Sequence, residues 1–79
     1  MAETLYEGSA HNATFYVPSA GVVRFGFGMM AAGYVRSRYG VLLARVEPGT
    51  RLFLSAGEHV LTLYDPELMA RVSIVFIPN

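Results

Sequence analysis

Turn-forming residues interrupt this chain so often that no long helix has room to form. Pro18-Ser19-Ala20-Gly21, Glu47-Pro48-Gly49-Thr50, Ser55-Ala56-Gly57 and Asp65-Pro66-Glu67-Leu68 stand between short apolar runs, and each combines residues that preset or permit turn dihedrals. The runs between them alternate. In Val22 to Phe27, Val23, Phe25 and Phe27 share one parity while Arg24 and Gly26 share the other, which is the pattern of a half-buried strand. Ala13 to Val17, Val41 to Val46, Arg51 to Leu54, His59 to Tyr64 and Arg71 to Ile77 read the same way, and closely spaced short strands of this kind suit a sandwich or barrel.

Residues 29–46 fit two templates. Val35, Tyr39, Leu42, Leu43 and Val46 also match helical spacing, but Gly33 and Gly40 break a continuous helix, so strands are favoured. The expected fold class is all-β: a small antiparallel sandwich or compact barrel of about six to seven short strands. Residues 1–12 are expected as a short N-terminal arm and residues 13–79 as one β domain. The stretch Leu54 to Tyr64 resembles the turn-and-strand of small immunoglobulin-like modules, and this favours a sandwich.

At 79 residues the chain is near the size where one core gives marginal stability. It has no cysteine, and its two histidines, His11 and His59, show no ligand spacing, so neither disulfides nor a metal is expected as a staple. Hydrophobic residues make up 53% of the chain and charged ones only 15%, against a typical quarter charged. So small a domain has too few polar residues to cover itself, and burial of apolar surface between subunits is expected. The weakly charged stretch Phe25 to Val35 is much shorter than the roughly 20 residues of a spanning helix. No membrane span is expected, and Met1 to Glu7 lacks the basic, apolar pattern of a signal peptide. Synthesis in the cytoplasm follows as an expectation.

Catalytic readings fare poorly. Gly26-Phe27-Gly28 with Glu47 downstream outlines a dinucleotide fingerprint, yet the remaining chain has no room for a doubly wound sheet. Ser55, His59 and Asp65 supply the residue types of a triad, but along a strand His59 and Asp65 lie roughly 20 Å apart. Glu47 and Glu58 would need a shared cleft to act as a carboxylate pair. No enzyme activity, catalytic residue, metal or cofactor is expected.

Charge is more informative by position than by total. The formal net charge is zero, but Arg24, Arg36, Arg38, Arg45 and Arg51 against Glu47 leave the middle at +4, with −2 on each flank. All six basic residues are arginine, a residue suited to interfaces because its guanidinium is planar and weakly hydrated. Arg24, Tyr34, Arg36, Arg38, Tyr39, Arg45, Arg51 and Phe53 are therefore the candidate interface, with Glu3 and Glu7 as candidate acidic counterparts.

A non-enzymatic assembly subunit follows as the expected function: a homo-oligomer or part of a larger protein assembly, of the virion accessory or capsid decoration type, with the virion as its location. Two alternatives are a single-stranded nucleic-acid module built on the Arg/Tyr-rich middle and a small protein regulator or inhibitor. The zero net charge makes nucleic acid the less favoured partner.

Overall fold

A computed structural model of the chain describes residues 2–28 and 31–78. Eight strands follow one another: β1 (Glu3–Ala10), β2 (Asn12–Val17), β3 (Gly21–Phe27), β4 (Gly33–Ser37), β5 (Leu42–Val46), β6 (Arg51–Leu54), β7 (Gly57–Leu63) and β8 (Ala70–Ile77). The alternation read from the sequence decides which side of each is buried. Val23, Phe25 and Phe27 of β3 point into the core, as do Ala13, Phe15 and Val17 of β2, Leu61 and Leu63 of β7, and Val72, Ile74 and Phe76 of β8.

The strands form two four-stranded sheets, ordered β1-β8-β3-β6 and β2-β7-β4-β5, with every pairing antiparallel. Only the β4–β5 connection stays within a sheet; each of the others carries the chain across to the opposite layer. That order is the eight-stranded jelly roll, in which two Greek keys close over one core. Leu54 to Tyr64 does form a turn and a strand, the end of β6 and β7, but the topology is not that of an immunoglobulin-like module.

Two expectations are corrected in detail. There are eight strands, not six to seven. The N-terminal segment expected as an arm instead supplies β1, paired with β8 from Glu3↔Phe76 to Ala10↔Ala70. A bulge between Thr4 and Tyr6 breaks its alternation, which is why the period-2 pattern is hidden there. Within 29–46, β4 and β5 form a hairpin whose turn places Gly40 at φ 84°, a left-handed conformation suited to glycine. Met29 and Met30, at the start of the stretch that fits both templates, lie outside the described residues.

The core spans both layers. Phe25 is wholly buried and meets Phe15 of the other sheet edge-on, with ring centroids 5.7 Å apart; such a pair adds about 0.5–1.5 kcal/mol to the burial of its area. His59 is the one buried polar residue among those described, at 3% exposure. Its ring stacks on Phe15 at 5.8 Å, and Nδ1–H donates to the Gly57 carbonyl at 3.0 Å, which satisfies a ring that would otherwise be costly to bury.

Candidate interaction surfaces

Alternation that fills the core with one parity sends the other outward, and it divides the predicted interface between opposite faces. On the first sheet, Arg24 of β3 lies directly across the ladder from Arg51 of β6, and Val22 lies between Phe53 and Ile77. The outward side of this sheet therefore carries an apolar row, Phe53-Val22-Ile77, beside a pair of arginines. Glu3 and Glu7 stand on β1 at the far edge of the same sheet. Glu7 reaches Arg71 of its own chain at 3.5 Å, an exposed pair of little energetic consequence.

On the second sheet, Tyr34 and Arg36 face outward from β4, with Arg45 opposite Tyr34 on β5. The Arg36 guanidinium sits 5.7 Å from the Tyr34 ring centroid, and Tyr64 tilts against the other side of this cluster at 5.8 Å from Tyr34. Arg38 and Tyr39 occupy the β4–β5 turn, with the guanidinium 5.1 Å from the ring centroid. Cation–π contacts at exposed sites contribute about 0.5–1 kcal/mol. They hold the guanidinium groups over flat aromatic surface, so less freedom remains to be lost on docking. Arg45 pairs with Glu47 at 3.2 Å.

Two adjoining clefts of about 310 and 480 Å³ lie at this end of the sandwich and share Arg38, Gly57 and Glu58 in their walls. His59 lines the smaller, beside Ser37 and Ser55. Asp65, the third residue type of a triad, instead accepts a bond from the Glu67 amide at 2.9 Å. Gly26 of the nucleotide-like run is a strand residue opposite Ser73, and a side chain there would meet Ser73 O only at an ordinary 3.6 Å. Close packing therefore does not require a glycine at that position.

Apolar side chains missed by the sequence reading extend the surface. Val41, Leu42 and Leu43 are each about half exposed, and Tyr16 and Tyr64 are about two-thirds exposed. The tyrosines were legible: Tyr16 falls between Phe15 and Val17 and so must point outward. The leucines were not, because the register shift between Val35 and Arg36 moves β5 out of simple alternation. β5 and β6 are the edge strands of their sheets and are joined by the short Glu47–Thr50 turn, so this margin of the sandwich carries both exposed apolar groups and arginines.

The fold and these surfaces define an eight-stranded jelly-roll domain with aromatic and arginine side chains on two outer faces. Among solved structures, it is similar to the C-terminal domain of the A223 protein, described as a structural protein from Sulfolobus turreted icosahedral virus. The match has a TM-score of 0.74 and 14% identity, and covers 99% of this chain and 100% of that domain. At that identity the likeness is one of fold. No protein-family model matches the chain, and no curated protein does.

Proposed function

We propose that this domain is a non-enzymatic structural subunit of a virion, of the accessory or decoration type, which assembles with copies of itself or with a larger protein shell. The observation that carries the reading is the overlap of outward-facing tyrosine, arginine and leucine on the β4–β5 hairpin and the second sheet: partly buried Tyr34 and Arg36 beside exposed Arg38, Tyr39, Leu42 and Leu43. Rigid aromatic area combined with guanidinium is hot-spot chemistry. The end-to-end fold likeness to a domain of a viral structural protein supports the same reading.

The Arg36→Ala, Arg38→Ala double variant is expected to weaken assembly by roughly tenfold or more, since hot-spot truncations cost upward of 1–2 kcal/mol, while the β circular dichroism spectrum stays unchanged. Sedimentation across a concentration series reads the effect. Unchanged concentration dependence in a folded variant counts against this surface. Mass spectrometry of purified particles from the native source tests the virion role directly, and absence of the chain from them removes it.

The specific observation in favour of a nucleic-acid module is the stacking of Arg36 on Tyr34 and Arg38 on Tyr39. Against it, Arg24 and Arg51 lie on the other sheet, so the middle charges form no single track. Mobility shift of a single-stranded oligonucleotide at two salt concentrations separates the readings, because phosphate contacts make binding steeply salt-dependent.

A further inference from the structure

At one end of the second sheet the inner face turns polar. There His59 of β7 lies opposite Phe15 of β2 on one side and Ser37 of β4 on the other, and the alternation that turns Phe15, Val35 and Leu61 inward turns His59 and Ser37 the same way. Opposed residues on one face of a ladder have Cβ atoms about 5 Å apart. The imidazole and the hydroxyl nevertheless do not bond each other. Nδ1–H of His59 is committed to the Gly57 carbonyl at 3.0 Å, so in the neutral ring Nε2 carries a lone pair. Among the described residues Nε2 has no partner, and no side-chain nitrogen or oxygen is sealed from solvent without one. His59 is only 3% exposed. Nε2 therefore opens into the smaller of the two clefts, whose wall His59 helps to form. Ser37 lines the same cleft, and its Oγ accepts from the Tyr39 and Val41 amides at 3.2 Å each, which leaves it a proton to donate.

We propose that this end of the sandwich is a saccharide-binding site, with one sugar ring in the smaller cleft and a second in the larger. A ring hydroxyl donates to His59 Nε2 and accepts from Ser37, and a hydroxyl is the group that does both at once. A phosphodiester or a carboxylate brings no proton to Nε2. A metal ion finds no group of three or more histidine or carboxylate ligands among the described residues. The proposal goes beyond the assembly reading and does not depend on it.

The outer walls suit the same ligand. Arg38 and Glu58 line both clefts, carry opposite charge, and among the described residues neither is within ion-pair distance of a partner. Together they leave the site formally neutral while offering donors and an acceptor to uncharged hydroxyls, the few placed polar groups that give a small-ligand site its specificity. Each cleft also has an exposed tyrosine in its wall: Tyr39 in the smaller, and in the larger Tyr16, across the ladder from Glu58. The face of an aromatic ring is electron-rich, so it attracts the polarised C–H groups on the flat side of a sugar. Cleft volumes of about 310 and 480 Å³ lie at the low end of the roughly 300–1,000 Å³ of small-molecule sites, which limits each to a single ring.

Titration of the ¹⁵N-labelled chain, followed by NMR, tests this with the methyl glycosides of glucose, galactose, mannose and N-acetylglucosamine and with maltose, lactose and chitobiose. At least one sugar is expected to shift the amide signals of Ser37, Gly57 and His59, and a disaccharide to bind more tightly than its single ring. A changed ¹⁵N shift of His59 Nε2 at saturation marks the bond directly. Glu58→Gln is expected to weaken binding roughly tenfold, the usual effect of removing a charged hydrogen-bond partner. Tyr16→Ala should erase the preference for the disaccharide and leave the affinity for the single ring unchanged. His59→Phe keeps a ring of similar shape and should abolish binding; circular dichroism verifies its fold, and the surface variant Glu58→Gln decides the matter if it does not fold. No shift from any of these sugars at about 50 mM, beyond the millimolar end of measurable affinity, overturns the proposal. So do shifts that Glu58→Gln leaves undiminished, or binding of inorganic phosphate in their place, which would assign Arg38 to an anion. Sedimentation reads assembly separately: a monomeric chain that binds sugar supports this site and removes the assembly reading, and an assembling chain that binds none does the reverse.

Discussion

Phe25→Ala is expected to lower the unfolding free energy by about 3–5 kcal/mol, the range for removing a buried phenyl ring and leaving part of its volume empty. Phe25 is fully buried, lies opposite Ile74 on β8, and closes the two layers through its edge-on contact with Phe15. Its strand is hydrogen-bonded on both sides, by β8 and β6, so the backbone cannot collapse into the cavity. A domain of this size commands roughly 4–12 kcal/mol in all, at the usual 0.05–0.15 per residue. The variant therefore sits near its threshold of folding. Urea titration followed by circular dichroism, with both proteins at one concentration because association would add apparent stability, measures the loss. A difference below about 1 kcal/mol would show that the core tolerates a void.

This sensitivity bears on the assembly reading. Mutations meant to probe a surface must leave the thin core intact, and the arginines are suited to that purpose because they are outward or half-exposed. Contact with neighbours would contribute to stability by mass action. Removal of Arg36 and Arg38 is accordingly expected to change assembly before it changes the fold.

Much of the fold was legible because alternation and turn chemistry agree. β6 coincides with the expected run Arg51 to Leu54, and β2, β3, β5, β7 and β8 differ from expectation only at their ends. β1 was illegible for a physical reason: it is an edge strand rich in Glu, Thr, Ser and Gly, and its bulge breaks the period. β4 was obscured by a helical spacing that Val35, Leu42 and Val46 satisfy by coincidence across a hairpin. The order of strands lies beyond any local pattern, because it is set by which partners close the core.

The candidate surface was legible in kind and misread in arrangement. Composition identified a basic, aromatic middle, but neighbours in sequence on a strand face opposite ways, and consecutive strands here change sheet. Arg24, Arg51 and Phe53 consequently lie on one face, and Tyr34, Arg36 and Arg45 on the other. The opposed arginines follow from the β3–β6 register, which a single sequence does not state.

The second large effect is expected at Gly33, where β4 runs between β5 and β7. Gly33 is buried opposite Val46 and Leu63, and a Cβ there would stand 2.8 Å from Leu61 Cδ1 and 3.0 Å from Thr62 O. Leu61 is itself enclosed at 1% exposure, and Thr62 O belongs to the backbone of a central strand, so neither neighbour yields freely. Forcing carbon into such a site costs about 1–3 kcal/mol. Gly33→Val is expected at the upper end of that range and Gly33→Ala at the lower. Gly28 supplies the control, since among the described residues a Cβ there meets nothing within 4 Å, and Gly28→Ala should unfold at the wild-type midpoint. Because Tyr34 and Arg36 follow directly on the same strand, any displacement of β4 moves them too. Gly33→Ala should therefore weaken assembly through the second sheet while retaining most of its stability, and a variant with wild-type midpoint and wild-type assembly would show that the contact with β7 is slack.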